Sequence, residues 1–254
     1  DQAAASVNLT VDLVGRETHF AALNQARDEV AGGATRSVFI HGHSGMGKSA
    51  LVRSFLDDVQ AGGQGVVLEG RCYEQESVPF KSLDSLVDAL VGYLLTLHRD
   101  TLAELLPADT LPLVRLFPVL AQVPGTADEG RLSVENADQQ ELRTRAMAAL
   151  RELLIRLGER LPVVLYVDDL QWGDEDSANL LADLLRPPDG PRLLFLGAYR
   201  RENIHDSPSL VALNAAYEKG EDRPHRLDLP VNPLTETEAG RLALNLLGRE
   251  DRTT

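Results

Sequence analysis

Gly42-His43-Ser44-Gly45-Met46-Gly47-Lys48-Ser49 is the stretch on which the reading of this chain turns. It fits the P-loop pattern in full: a glycine, four intervening residues, then Gly-Lys-Ser. The short apolar run Ser37 to Ile40 precedes it, and Lys48 to Gln60 follows with the periodicity of a helix. Strand, glycine-rich loop and helix start then form one device. Glycines at 42, 45 and 47 let the backbone curl so that successive N–H groups point inward at phosphate oxygens. The helix N-terminus adds the positive end of its dipole. Lys48 can reach β- and γ-phosphates, and the Ser49 hydroxyl can ligate Mg²⁺. His43, Ser44, Met46 and Ala50 complete the expected nucleotide-binding segment.

Alternating strands and helices argue for an α/β fold with a mainly parallel sheet. Gly65 to Glu69 reads as a second strand, Val163 to Val167 as a third, Arg192 to Ala198 as a fourth and Arg226 to Leu229 as a fifth. Leu83, Leu86, Val87, Leu90, Val91, Leu94 and Leu95 fall at i, i+3, i+4, i+7, i+8, i+11 and i+12, a helical stripe expected to pack in the core. Gln139 to Arg160 and Asp174 to Arg186 read as further helices. Residues 101 to 133, broken by Pro107, Pro112, Pro118 and Pro124, are expected to form short helices and loops.

The third strand delivers Asp168-Asp169 at its carboxyl end, where parallel sheets place their sites. Asp168 is the candidate partner of Ser49 in holding Mg²⁺, and Asp169 the candidate for orienting an attacking water. Asp169 is one methylene shorter than a glutamate, so slow turnover is expected. Arg200 follows the fourth strand, where a guanidinium could sense the γ-phosphate. His41 and His43 resemble a metal pair but have no third ligand nearby. Trp172 reads as a packing residue, and Cys72 has no evident base to activate it.

The 254 residues include 25 Lys plus Arg against 39 Asp plus Glu, a net charge of −14 that disfavours general nucleic-acid binding. One cysteine excludes an intrachain disulfide and suits a reducing, cytoplasmic setting. No apolar run approaches the roughly 20 residues that cross a bilayer, so no membrane partner is expected. The small-residue stretch at the start reads as a linker over residues 1–10. Thr235 to Glu238 has the capping-box pattern, followed by a helix carrying Leu242, Leu246 and Leu247. That apolar face needs a partner, so further protein is expected beyond Thr254, the alternative being a short helix that docks on its own domain.

These elements together resemble the STAND class of P-loop ATPases, relatives of AAA proteins. Leu13-Val14-Gly15-Arg16-Glu17 is similar to that group's N-terminal signature, Asp168 to Trp172 to its Walker B segment, and Leu196 to Arg200 to its sensor strand. Gly70 to Glu74 and Val78 to Lys81 look like the variant found in multidomain bacterial regulators. The resemblance implies a five-stranded sheet with the sensor strand between the P-loop and Walker B strands. It implies that Val14, Gly15 and Arg16 lie near adenine and ribose. It also implies a P-loop NTPase domain over residues 11–232 and the start of a helical lid over residues 233–254. The expected activity is ATP/ADP binding with slow Mg²⁺-dependent hydrolysis, as a nucleotide switch. Its partners would be flanking domains of a larger chain: a kinase or DNA-binding module, and helical repeats. The alternatives are a nucleotide-binding scaffold without turnover, or an AAA-type DNA-remodelling ATPase. No guanine-reading Asn-Lys-x-Asp segment is present, which favours ATP.

Overall fold

The apolar runs of the chain assemble into one parallel sheet of five strands in the computed structural model, which describes residues 14–74, 80–126, 138–187, 190–218 and 225–247. The strands are β1 (Arg36–Gly42), β2 (Val66–Arg71), β3 (Val163–Asp168), β4 (Leu193–Arg200) and β5 (Arg226–Pro230), in the order β2-β3-β4-β1-β5. Every pairing is parallel, so all carboxyl ends share one edge. β4 separates β1 from β3, as the family resemblance implied, and its register sets Arg200 beside Gly42.

β3 and β4 are apolar at consecutive positions because helices cover both sheet faces. Val38, Ile40, Val164, Tyr166, Leu194 and Leu196 face α1 (Glu17–Ala31) and α2 (Lys48–Ala61). Phe39, Val163, Leu165, Leu193 and Phe195 face the other way, into a larger core. That core is built by α3 (Lys81–Leu94), α4 (Arg99–Leu105), α5 (Leu111–Leu116), α6 (Gln139–Arg160), α7 (Glu175–Leu184) and α8 (Pro208–Glu218). Among the described residues, no helix is long and apolar enough to cross a membrane.

Several boundaries differ from those expected. β1 starts one residue early and runs on through Gly42, and β2 begins at Val66 and continues to Arg71. β4 extends to Arg200, which therefore ends the strand rather than following it. Asp174 caps α7 instead of lying in it, its carboxylate accepting from Ser177 N at 2.7 Å. Leu95 lies just past α3 and is 49% exposed, so the core stripe stops at Leu94. Two helices, α1 and α8, were not anticipated. The described part of residues 101 to 133 does form short helices: the end of α4, then α5 and a 3-10 turn at Pro118–Gln122, the last two with prolines at their starts.

α9 (Glu236–Leu246) carries the full capping box, Thr235 N donating to Glu238 Oε2 at 2.7 Å and Glu238 N to Thr235 Oγ1 at 3.3 Å. None of its residues is buried, and Leu246 and Leu247 are 56% and 69% exposed. The expected linker, Leu13, Val78 and the final residues 248–254 lie outside the described residues.

Candidate nucleotide site

The loop between β1 and α2 owes its shape to glycine. Gly45 and Gly47 have φ of +79° and +86°, a region L side chains rarely adopt, and an added Cβ at either would meet nothing within 4 Å. The hollow beside them is open. Gly42 is required for a different reason: a Cβ there would come 2.3 Å from the Val231 carbonyl oxygen. The chain leaving β5 crosses at that point, Val231 N donating to His41 O at 2.7 Å.

Lys48 bends back over this loop, its Nζ donating to the carbonyls of Gly42 and His43, both at 2.9 Å. Burial holds its ammonium below the ordinary lysine value, while Glu202, Asp168 and Asp169 oppose that shift. At the start of α2 the Ser49 hydroxyl donates to Asp168 Oδ2 at 3.1 Å. Two hard oxygen groups from different elements thus meet directly below the loop. An open hollow at the helix start, a lysine over it and this oxygen pair fit a polyphosphate with Mg²⁺.

Asp168 and Asp169 differ sharply in environment. Asp168 Oδ1 accepts from Asp169 N at 3.0 Å, leaving its other oxygen to Ser49. Asp169 has φ +55°, a left-handed conformation that aims its side chain away from the strand's alternation. Its Oδ2 accepts from Arg71 Nη2 at 2.8 Å and Nε at 3.2 Å, and its Oδ1 from Gln171 Nε2 at 2.8 Å. Gln171 is buried and its Oε1 accepts from Arg200 N at 3.1 Å, so one amide ties the ends of β3 and β4 together. Trp172 packs against the larger core, as read from the sequence.

Around the loop, His43 Nδ1 lies 3.3 Å from Glu202 Oε2. Glu202 is held below the usual carboxylate value by its own backbone N–H first, with His43, Ser44 N–H and Lys48 adding. His41 instead stacks its ring on Tyr199, centroids 5.5 Å apart, and burial lowers its pKa. Tyr166, 5% exposed on β3, has a hydroxyl within reach of Asp168 and Ser49 but bonded to neither.

The structure brings Lys48, Ser49, Asp168, Asp169 and Arg200 to one edge of the sheet. Ala50 stands exposed on the first turn of α2. Val14 is buried, and Gly15, at φ +70°, lies under Glu238 of the capping box. Arg16 is only 7% exposed, and its Nη2 donates to Met46 O at 3.0 Å and Asn232 O at 2.8 Å. It braces the outside of the phosphate loop against the segment after β5. Arg71, Gln171, Glu202 and Tyr166 were missed in the sequence. Of these, Gln171 and Arg71 had a local signal, their places within Asp168 to Trp172 and within Gly70 to Glu74.

A parallel sheet in this order, with this loop and acidic pair at its carboxyl edge, defines a P-loop NTPase fold. The chain matches the AAA ATPase domain family over residues 12–196 and belongs to it. No curated protein matches its sequence. Among solved structures it is similar to Cdc6p from Pyrobaculum aerophilum, at 14% identity and a TM-score of 0.47, over 96% of this chain and 51% of that one. It is also similar to the Aeropyrum pernix Orc1 protein in complex with DNA, at 14% identity and a TM-score of 0.46, over 94% and 50%. A third likeness is to Drosophila ORC bound to poly(dA/dT) DNA and Cdc6, at 12% identity and a TM-score of 0.41, over 89% and 31%. The chain spans about half the length of the first two.

Proposed function

We propose that this domain binds ATP and ADP with Mg²⁺ at the β1–α2 loop and hydrolyses ATP slowly, as a nucleotide switch in a larger signalling or transcription-regulating protein. The observation that carries this reading is the meeting of Lys48, Ser49 and Asp168 beneath an open glycine loop. Loop N–H groups from Gly42 to Ser49 would hold the phosphates, with Lys48 exchanging its two carbonyl partners for phosphate oxygens. Ser49 and Asp168 would hold Mg²⁺, which when bound neutralises charge on the β- and γ-phosphate oxygens. Val14 and Gly15 would line the base and ribose, with Arg16 keeping the loop in place behind them.

Hydrolysis needs a water directed at the γ-phosphorus. Its oxygen forms the new P–O bond, the bond to the β–γ bridging oxygen breaks, and its proton passes to the Asp169 carboxylate and on to solvent. Arg200, at the end of β4 beside Gly42, faces the charge on the departing phosphoryl group. Asp169 starts each cycle tied to Arg71 and Gln171, which supports slow turnover. The same ties favour a second reading, a bound nucleotide that is not turned over. Flanking domains would read the nucleotide state through elements such as α9, the proposed start of a lid.

Phosphate release from Mg-ATP beyond one turnover per chain tests the first reading. A folded, ATP-binding domain that stops at or before one turnover would leave the second. Arg71 supplies a sharper check. Its side chain is 57% exposed, so its pairing with Asp169 is worth at most about 1 kcal/mol. Arg71→Met is therefore expected to raise turnover by up to about fivefold. A fall in turnover would show that Arg71 aims the carboxylate rather than restraining it.

A further inference from the structure

The Tyr166 hydroxyl is an anomaly in an otherwise well-satisfied region. Tyr166 is 5% exposed, and its hydroxyl makes no hydrogen bond among the described residues. A buried hydroxyl without a partner is costly, and native structures retain such groups where something else satisfies them. A phenylalanine would fill the same space without that cost.

Its position says what that something is. Tyr166 and Asp168 are two residues apart on β3, so their side chains leave the same face of the sheet. That face packs on α2, alongside Leu51, Val52 and Phe55. Ser49 stands in the first turn of α2, and its hydroxyl already meets Asp168 Oδ2. The phenol therefore points up the α2–β3 seam at the oxygen pair assigned above to Mg²⁺, from the protein side. Water bound to a hard cation carries donors that need acceptors, and outer groups of this kind orient a metal's ligands.

We infer that Tyr166 is a positioning residue of the cation site, its hydroxyl hydrogen-bonding either the Asp168 carboxylate or a cation-bound water once Mg²⁺ and nucleotide are in place. This rests on the nucleotide-binding reading given above. Tyr166 touches neither substrate nor reacting atoms. Its effect passes through the cation, so it separates from any structural role by sign.

The test is Tyr166→Phe in the whole domain, read in three ways. Without ligand, the thermal midpoint is expected to stay the same or rise, because an unpaired buried hydroxyl has been removed. ATP affinity in EDTA is expected to be unchanged. The Mg²⁺ concentration that half-restores tight ATP binding is expected to rise about tenfold. An unchanged Mg²⁺ midpoint would overturn the inference, as would equal losses of affinity with and without Mg²⁺. Failure of the wild-type domain to bind ATP at all would instead contradict the nucleotide site itself.

Discussion

Asp169→Ala is expected to lower ATP turnover by about 10²- to 10⁴-fold, the range typical of a lost general base, while ATP affinity changes by no more than about threefold. Asp169 differs from Asp168 in its surroundings. Asp168 faces Ser49 and the loop, whereas Asp169 turns aside at φ +55° to meet Arg71 and Gln171. Removing Asp169 therefore leaves Lys48, Ser49 and Asp168 in place and takes away the carboxylate proposed to direct the water. Single-turnover phosphate release, beside equilibrium ATP binding, separates the two effects. Turnover within about fivefold of wild type would mean that another group directs the water.

Phe39→Ala is expected to lower the free energy of unfolding by about 3–5 kcal/mol, measured by urea denaturation. Phe39 sits at the centre of the P-loop strand and is 2% exposed. Its ring meets Phe195 and Tyr217 edge to face, at 5.7 and 5.3 Å between centroids, and the Arg226 guanidinium lies over it at 4.4 Å. The side chain therefore joins β1 to β4, α8 and β5 at once. Truncation removes the buried area and leaves a cavity among groups that cannot all collapse. It also frees Arg226, which is half-buried and paired with Asp228. A loss below about 1.5 kcal/mol would show that the neighbouring rings close the gap.

The elements that were legible share one property: their signal is local. The phosphate loop is a contiguous pattern, and β3 and β4 are runs of apolar residues covered on both faces. The capping box at Thr235 and Glu238 formed as spelled, because both partners lie within one turn. α1 was invisible because it buries only Leu23, Ala26 and Val30 along its 15 residues, too thin a stripe to stand out. α8 escaped notice because its buried side begins with the polar Ser209, which donates to Leu170 O.

The site divides in the same way. Lys48, Ser49 and Asp168 could be named from motifs, but their mutual contact depends on β3 arriving next to the start of α2. The tie from Arg71 to Asp169 joins residues far apart in sequence that the β2–β3 pairing brings together, and β2 is longer than its apolar pattern suggests. Resemblance implies that Arg16 lies near the nucleoside, and the structure adds that its buried guanidinium holds two backbone carbonyls, Met46 and Asn232. A charged side chain in a signature can thus serve the loop's shape, and nothing in its spacing reveals which carbonyls it meets.

The most direct measurement is titration calorimetry of the domain with Mg-ATP and Mg-ADP, run beside Lys48→Ala. Among the described residues, Lys48 Nζ hydrogen-bonds the loop carbonyls of Gly42 and His43, so its replacement removes a cation from the hollow without opening a core. The wild-type domain is expected to bind one nucleotide, and Lys48→Ala to weaken that binding by about 100-fold or more, as loss of charge-assisted bonds to phosphate requires. Binding by Lys48→Ala within a few fold of wild type, or no binding by a folded wild-type domain, would contradict a nucleotide site at this loop.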